Sequence, residues 1–569
     1  MLNVFILDSV KRKENNKAKK WLIAGAIVIG ISILLFVGLH VFTLWFQRKL
    51  ETTVHEQSKG IYTLDLYGFE TSPFVGAVSV DSLSLQPDYA RWEELSSQGE
   101  EVPRSLLSFK SKAIELNRLS FYKMIFKRNV DLGSLRVEEP DLQVTATQKD
   151  TTSQHKPMHE TASGLLKDLH IGKLRANKAN FSYQEAIKDK QDVLALQNFD
   201  LTVEDFTLDS ASFFNKEKAY YASNIELFAG SAYYNIPNDH YRLTTDSLSL
   251  STREKTFSAY KINFKPTIGP SAMARAKGRA TTYIKLDVPF AQITGVDYPE
   301  HSRSNNIFAQ HILVSKPRLS AFKDKQHFSE GGSQPMPHDL ARNAKGLFGI
   351  KTIEIRNGYG RYEELAPQAN KTGLIYFSGF NSTMQNVTNV PGRMSRKNPA
   401  VVKARAMLMG KTPMQVTIRL PLLDKSGYHT LQGNIGSGGP QMLNPILVPT
   451  NFIKVDKGYV QSIRFDVTLN RRRATGTMRA IYKNLEIELL STGAKSGKDQ
   501  GFGKKILSKV ADWFLIENSN PDKKGEKPRI ARISVTRKKE RSVITYWKDC
   551  IAMGLMSSMG LEKMAESKF

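Results

Sequence analysis

Residues 463–489 read IRFDVTLNRRRATGTMRAIYKNLEIEL. Apolar and polar side chains alternate from Ile463 to Leu469, from Ala474 to Tyr482 and from Leu485 to Leu489. This period of two places the apolar side chains on one face of a strand. The stretch therefore predicts successive antiparallel strands, joined by short turns, with one apolar face. We predict that this face lines a groove, through Ile463, Phe465, Val467, Leu469, Met478, Leu485, Ile487 and Leu489.

Upstream of this stretch, the sequence repeats itself. The segment IGKLRANKANFSY (171–183) has a counterpart in IKTIEIRNGYGRY (350–362), and two further matches flank it in the same order. The three matched pairs are 137–142 with 314–319, 171–183 with 350–362, and 199–206 with 380–387. The separations of 177, 179 and 181 residues are nearly constant, which indicates a duplicated unit longer than a usual solenoid repeat.

The longest apolar stretch is WLIAGAIVIGISILLFVGLHVFTLWF, residues 21–46, which contains no charged side chain. It exceeds the roughly 20 residues that a membrane-spanning helix needs. Trp21, Leu35, Trp45 and Phe46 are its predicted anchor residues, with aromatic side chains at both ends. Basic residues precede it, so the N-terminus is expected in the cytoplasm and the bulk of the chain in the periplasm. A cleaved signal peptide and a buried soluble helix are the alternatives.

Composition is consistent with one large water-facing chain. The 569 residues carry a formal net charge of +26 and a single cysteine. The charge suits either a basic surface facing anionic membranes or nucleic-acid binding, and the second is disfavoured because no nucleic-acid motif is present. The predicted domains are a cytoplasmic flank (1–20), the membrane helix (21–46), a β-rich lead-in (47–104), two β-groove units (105–285 and 286–490) and a basic, partly helical tail (491–569).

Sequence motifs for catalysis, cofactors and metals are missing. His155 and His159 flank a proline in a polar loop, which favours solvated residues over metal ligands. The segment GSGGP (436–440) lacks the lysine of a phosphate-binding loop, which indicates a flexible connection. Cys550 lies in an amphipathic segment, 542–561, that is either a helix packed on the end of the sheet or a membrane-surface helix. We therefore predict no enzymatic activity and no cofactor.

The repeated segments 171–183 and 350–362 resemble the AsmA-like proteins, relatives of TamB, in their I-x-x-L-x-I-x-x-G-x-x-x-Y pattern and the strand that follows it. The resemblance covers residues 21 to about 490 and rests on apolar and turn positions. It implies a mainly β fold: a membrane helix followed by an elongated, curled antiparallel sheet with an apolar channel. It also implies a role in envelope maintenance, with phospholipid moving between the inner and outer membranes.

Two functions follow as expectations. The first is an inner-membrane-anchored groove that carries phospholipid, because an apolar concave face removes acyl chains from water without any catalytic residue. The second is a structural or assembly factor of the cell envelope, with a closed, lipid-free core and an envelope or outer-membrane protein as partner.

Overall fold

The computed structural model describes residues 32, 37–127, 129–147, 157–162, 168–185, 191–237, 239–490, 516–523, 525–562 and 565–566. In this part of the chain the fold is mainly β, as the sequence predicted, and 25 strands are present. The chain divides into two compact units: unit 1 holds residues 1–192 and 197–212, and unit 2 holds residues 193–196 and 213–569.

Unit 1 is built from two strand ladders that meet on one long strand. Its elements are α1 (37–57), β1 (Tyr62–Tyr67), β2 (Glu70–Ser72), β3 (Ala77–Val80), β4 (Ser82–Pro87), α2 (Tyr89–Ser97), β5 (Ser105–Ser111), β6 (Ala113–Asn117), α3 (Phe121–Lys127), β7 (Asn129–Glu138), β8 (Asp141–Ala146), α4 (Met158–Ala162) and β9 (Asp168–Glu185). One ladder runs β1-β4-β5-β8 and the other β2-β3-β6-β7. Both end on β9, which pairs in parallel with β7 and β8. The chain then passes through β10 (Gln191–Leu208) and α5 (Ser210–Phe214).

The helix α1 contributes to the core of unit 1. The Phe46 ring lies 5.9 Å from the Phe69 ring and 5.7 Å from the Phe121 ring, and only 7% of Phe46 is exposed. Trp45, the adjacent predicted anchor residue, is half exposed. The end of the predicted anchor therefore packs on folded protein through Phe46 in the core of unit 1.

Most of the predicted membrane span lies outside the described residues, at 21–31 and 33–36, including Trp21 and Leu35. Within the described part of the chain, no helix is both long enough and apolar enough to cross a membrane.

Unit 2 is a ladder in which strands that follow one another in sequence mostly pair with each other. Its elements are β11 (Asn224–Ile236), β12 (Tyr241–Thr245), β13 (Ser247–Ser251), β14 (Thr256–Pro266), α6 (Pro270–Lys277), β15 (Thr282–Thr294), α7 (Tyr298–Ser304), β16 (Ile307–Ser315), β17 (Arg318–Asp324), α8 (Pro337–Arg342), β18 (Phe348–Leu365), β19 (Gly373–Thr388), β20 (Ala400–Leu408), β21 (Thr412–Leu420), β22 (His429–Ile435), the 3-10 helix Pro440–Leu443, α9 (Asn444–Asn451), β23 (Ile453–Leu469), β24 (Arg473–Leu489), β25 (Ala531–Thr536) and α10 (Val543–Ser558). From β18 to β25, each strand pairs antiparallel with the next.

The sheet is mixed, which corrects the prediction of an antiparallel sheet throughout. The strands β16 and β17 both pair antiparallel with β15 and both pair parallel with β18. They therefore act as one long strand with an irregularity at Lys316 and Pro317, where Lys316 has a φ of 51°. Parallel neighbours need a crossover of a dozen residues or more, and the segment 325–347 provides it.

The two segments predicted to be copies share backbone details. In unit 1, β7 and β8 run parallel to β9, as β16 and β17 run parallel to β18 in unit 2. Equivalent positions also share a positive φ: Glu139 with Lys316, Lys178 with Asn357, and Asn198 with Gly379. The Lys178 amide donates to Asp200 Oδ1 at 2.9 Å, and the Asn357 amide donates to Asn381 Oδ1 at 3.1 Å. The predicted bounds of the two units, 105–285 and 286–490, stay a prediction.

The C-terminal tail ends in a strand and a helix that complete unit 2. β25 pairs with β24, and α10 packs against β23, β24 and β25. This agrees with the first of the two sequence interpretations of the segment 542–561, a helix packed on the end of the sheet. The predicted helical segment at 501–515 lies outside the described residues.

Candidate functional site

The candidate site is the apolar face of unit 2, which we define by two rows of paired residues. Residues directly opposite each other on neighbouring strands point to the same side of a sheet. The first row contains Leu227, Leu250, Phe257, Ile293, Ile312, Ile353, Met384, Val402, Ile418, Leu431, Val467, Gly476 and Ile533. The second contains Ala229, Leu248, Ala259, Ala291, Val314, Ile355, Ser382, Ala404, Val416, Gly433, Phe465, Met478 and Ala531.

These rows make a continuous apolar path across unit 2. Except for Ser382 and two glycines, every position of both rows carries an apolar side chain. Neighbouring strands lie roughly 4.8 Å apart, so the 13 strands of a row extend over about 58 Å along the sheet.

The opposite face is polar along the same strands. The row between the two apolar rows contains Phe228, Ser249, Ser258, Gln292, Leu313, Glu354, Thr383, Lys403, Thr417, Gln432, Asp466, Thr477 and Arg532. Only Phe228 and Leu313 in it are apolar. The sheet is thus amphipathic along these 13 strands, as expected for a sheet with one solvated face.

Burial of the apolar face changes along the path. From β11 to β20 the side chains of the first row, such as Phe257, Ile312 and Ile353, are only partly buried. From β21 onward they are buried: 8% of Ile418, 2% of Leu431 and none of Val467 is exposed. The first row is therefore partly accessible from β11 to β20 and covered from β21 onward, and we call these the accessible and the covered stretch of the apolar face. In the second row, Ala229 and Ala259 are buried within the accessible stretch.

The covered stretch contains the residues that the sequence analysis assigned to a groove. Ile463, Phe465, Val467, Leu469, Met478 and Leu485 are buried in one hydrophobic cluster with side chains of α10, and Ile487 packs against that cluster. The Leu489 side chain is not among those that the structure describes, although its backbone pairs with Ile453. At this end the apolar face is filled by protein rather than open.

Close packing and hydrogen bonds hold α10 in place. At Gly554 a Cβ atom would lie 2.8 Å from Met478 Cε and 3.1 Å from Ile533 Cδ1, so a larger residue would have to displace these side chains where the helix meets the sheet. The Tyr482 hydroxyl donates to the Ser558 carbonyl at 2.9 Å. Arg541, just before α10, forms ion pairs with Glu330 and Asp549 at 3.1 and 3.3 Å. Lys323 and Lys325 also neutralise Glu330, and together these cations lower its pKa to about 2.

A buried histidine links α10 to β22. The indole Nε1 of Trp547 donates to His429 Nε2 at 2.9 Å, and His429 Nδ1 lies 2.9 Å from the Gly427 carbonyl. With Nδ1 donating and Nε2 accepting, the His429 ring is neutral. Burial, with the positive charge of Arg537 nearby, lowers the pKa of His429 to about 4.

The residues considered for metal binding, phosphate binding and nucleophilic chemistry are separated in the described part of the chain. Among those residues, no cluster of three or more His, Cys, Asp or Glu side chains is placed to hold a metal ion. His159 is on α4, whereas His155 lies outside the described residues. The segment 436–440 runs from the end of β22 into the first residue of the 3-10 helix. Cys550 is fully buried in α10, and burial raises the pKa of its thiol to about 12, which makes it a poor nucleophile.

Comparison with known proteins assigns no family. A scan against protein-family models finds no match, and a search of curated proteins finds none either.

The accessible stretch of the apolar face was not predicted from the sequence. Its signal is present in SLSLS (247–251) and in the alternating Ile353 and Ile355 of β18. Single strands of this kind are too short to stand out, and their common face becomes evident only from the register of the ladder.

Proposed function

We propose that this chain is an AsmA-like protein, anchored in the inner membrane by residues 21–46, that carries phospholipid between the inner and outer membranes along the apolar face of unit 2. The observation that carries the proposal is the first row between β11 and β20, where apolar side chains continue from strand to strand and stay partly exposed.

The energetic argument concerns the acyl chains. Each methylene group removed from water contributes about 0.8 kcal/mol, so even one acyl chain in water is strongly disfavoured. A continuous apolar row offers equivalent contacts at each strand, so a chain lying on it can move along without re-entering water. No catalytic group is needed, which fits a protein that we propose is not an enzyme and needs no cofactor.

The test places charges in the accessible stretch. Ile312→Asp combined with Ile353→Asp puts two carboxylates side by side in the first row, where the side chains are partly exposed and the fold should tolerate them. We expect transfer of a fluorescent phospholipid between vesicles to fall to the uncatalysed rate. The control, Thr383→Asp with Thr417→Asp, places the same charges on the polar face. Unchanged transfer by a folded Ile312→Asp/Ile353→Asp variant would refute the proposal.

A second function is favoured by the covered stretch. Because α10 fills the apolar face from β23 to β25, that end has the closed core of a structural or assembly factor for the cell envelope. Mass spectrometry of the purified full chain distinguishes the two functions. Bound phospholipid favours the carrier, and a lipid-free chain that still binds an outer-membrane or other envelope protein favours the assembly factor.

A further inference from the structure

One end of the sheet in unit 2 is strongly basic. Five segments meet there: 337–345, which includes α8, and the connections 389–399, 421–428, 470–473 and 537–541. Their position follows from the ladder, because the strands from β19 to β25 alternate in direction and these connections all lie on the same side. We call this surface the basic end.

Direct contacts join the five segments into one surface. The Arg471 amide donates to the Ser426 carbonyl at 2.9 Å, and its guanidinium Nη1 donates to Asp339 Oδ2 of α8 at 3.0 Å. The Arg537 amide donates to the Arg472 carbonyl at 2.9 Å. Arg396 of 389–399 pairs with Asp424 of 421–428 at 2.7 Å. The charges of these segments therefore act together on any partner.

The charge of the basic end is one-sided. Its five segments hold ten exposed Lys or Arg side chains, whereas Glu540 is their one exposed acidic side chain. Asp339 and Asp424 are less exposed, and each is paired with an arginine that helps to lower its pKa to about 2. A large excess of positive charge therefore remains on this surface.

Two large aliphatic side chains are exposed among these charges. Leu340 of α8 is 64% exposed, and Ile544 in the first turn of α10 is 70% exposed. A basic surface carrying exposed aliphatic groups is typical of proteins that bind at the interface of an anionic membrane. A surface for single-stranded nucleic acid would instead present aromatic rings on which bases stack.

We propose that the basic end docks on an anionic phospholipid bilayer, with the lysine and arginine side chains on the headgroups and with Leu340 and Ile544 inserted between them. This membrane contact is separate from the predicted anchor at 21–46. The proposed membrane contact depends on the basic end alone. It does not require the apolar face of unit 2 to carry lipid.

The experiment measures capture of vesicles by the full chain. The chain is held on beads by an N-terminal tag, in a nanodisc of phosphatidylcholine. Fluorescent vesicles of phosphatidylcholine, with or without phosphatidylglycerol, are then added. We expect capture only of the vesicles that contain phosphatidylglycerol, and we expect it to weaken as salt is raised.

A charge-reversal variant tests the location. Lys397→Glu, Arg472→Glu and Lys539→Glu change three exposed residues of the basic end. The added repulsion should weaken capture at least about tenfold, given the attraction of each Lys or Arg near an anionic surface.

The matched control makes the same change in net charge elsewhere in unit 2. Lys403→Glu, Lys411→Glu and Arg479→Glu alter exposed residues outside the basic end and should leave capture unchanged. Equal losses in the two variants would show a net-charge effect and overturn the proposal, as would capture of neutral vesicles.

Two further measurements complete the test. Leu340→Ser with Ile544→Ser should speed the release of bound vesicles while initial capture persists, because insertion is lost and attraction remains. If an oligonucleotide binds the chain more tightly than the vesicles do, and if the charge-reversal variant loses this binding, the proposal is overturned in favour of nucleic acid. Vesicle capture is scored without lipid transfer, so the result is distinct from that of the carrier test.

Discussion

Replacing Met478 by alanine should release α10 from the sheet. The Met478 side chain has no exposed surface, and it lies between Phe465 and Ala531 on the neighbouring strands with Gly554 of α10 above it. Deleting a buried methionine typically costs 2–5 kcal/mol, depending on how far the site collapses. Hydrogen-bonded strands on both sides limit collapse here, so we expect about 3 kcal/mol.

Hydrogen exchange measured by mass spectrometry on the full chain gives the readout. Since about 1.4 kcal/mol is a factor of ten, amides of α10 and β25 should exchange roughly 10²-fold faster in the Met478→Ala variant. Peptides from unit 1 should be unaffected and serve as the internal reference. Thr477→Ala, one residue away on the polar face, should change exchange little. Unaltered exchange of α10 after Met478→Ala, or equal acceleration by both variants, would refute the packing argument.

Three further predictions concern single residues. The pKa of His429 in the folded chain is about 4, below its ordinary value of 6.5, so protonation favours the unfolded state. The protection of α10 against hydrogen exchange should therefore fall by up to about 3 kcal/mol as the pH is lowered from 6.5 to 4. A His429→Gln variant whose protection depends on pH in the same way would contradict this. Cys550 should resist iodoacetamide in the native chain and react once Met478→Ala loosens α10, and rapid labelling of the native protein would argue against its burial. Asn357, with φ of 51°, should tolerate glycine but lose about 1–2 kcal/mol on Asn357→Val, which denaturation would detect.

The strand content and its apolar face could be predicted because they depend on local alternation. Ile463 to Leu469 and Ala474 to Tyr482 are paired strands with those side chains on one face, as predicted. The long strand β24 is continuous from Arg473 to Leu489, where the sequence indicated a break near Lys483. Register shifts between β23 and β24 absorb the change in alternation, and a shift of this kind has no sequence signal of its own.

What covers the apolar face could not be predicted, because the same alternation suits an open groove and a buried core. The amphipathic sequence of 542–561 suits a helix packed on a sheet as well as a helix on a membrane surface. Only the contacts of α10 with β23, β24 and β25 distinguish these two locations. The parallel pairing of β16 and β17 with β18 was missed for a similar reason. The crossover at 325–347 allows this parallel pairing, and nothing in its sequence distinguishes a crossover from an ordinary loop.

The cover over the last strands also bears on how unit 2 is made. In a ladder whose strands contact mainly their neighbours, stability spreads from the best-supported segment, and the ends are the first to fray. Here α10 makes the strands β23 to β25 the best-supported segment, although they are the last strands of unit 2 in sequence. The strands from β11 onward are therefore synthesised before their strongest support exists. We expect unit 2 to complete its folding only after α10 has been synthesised, and its apolar strands to depend on chaperones until then.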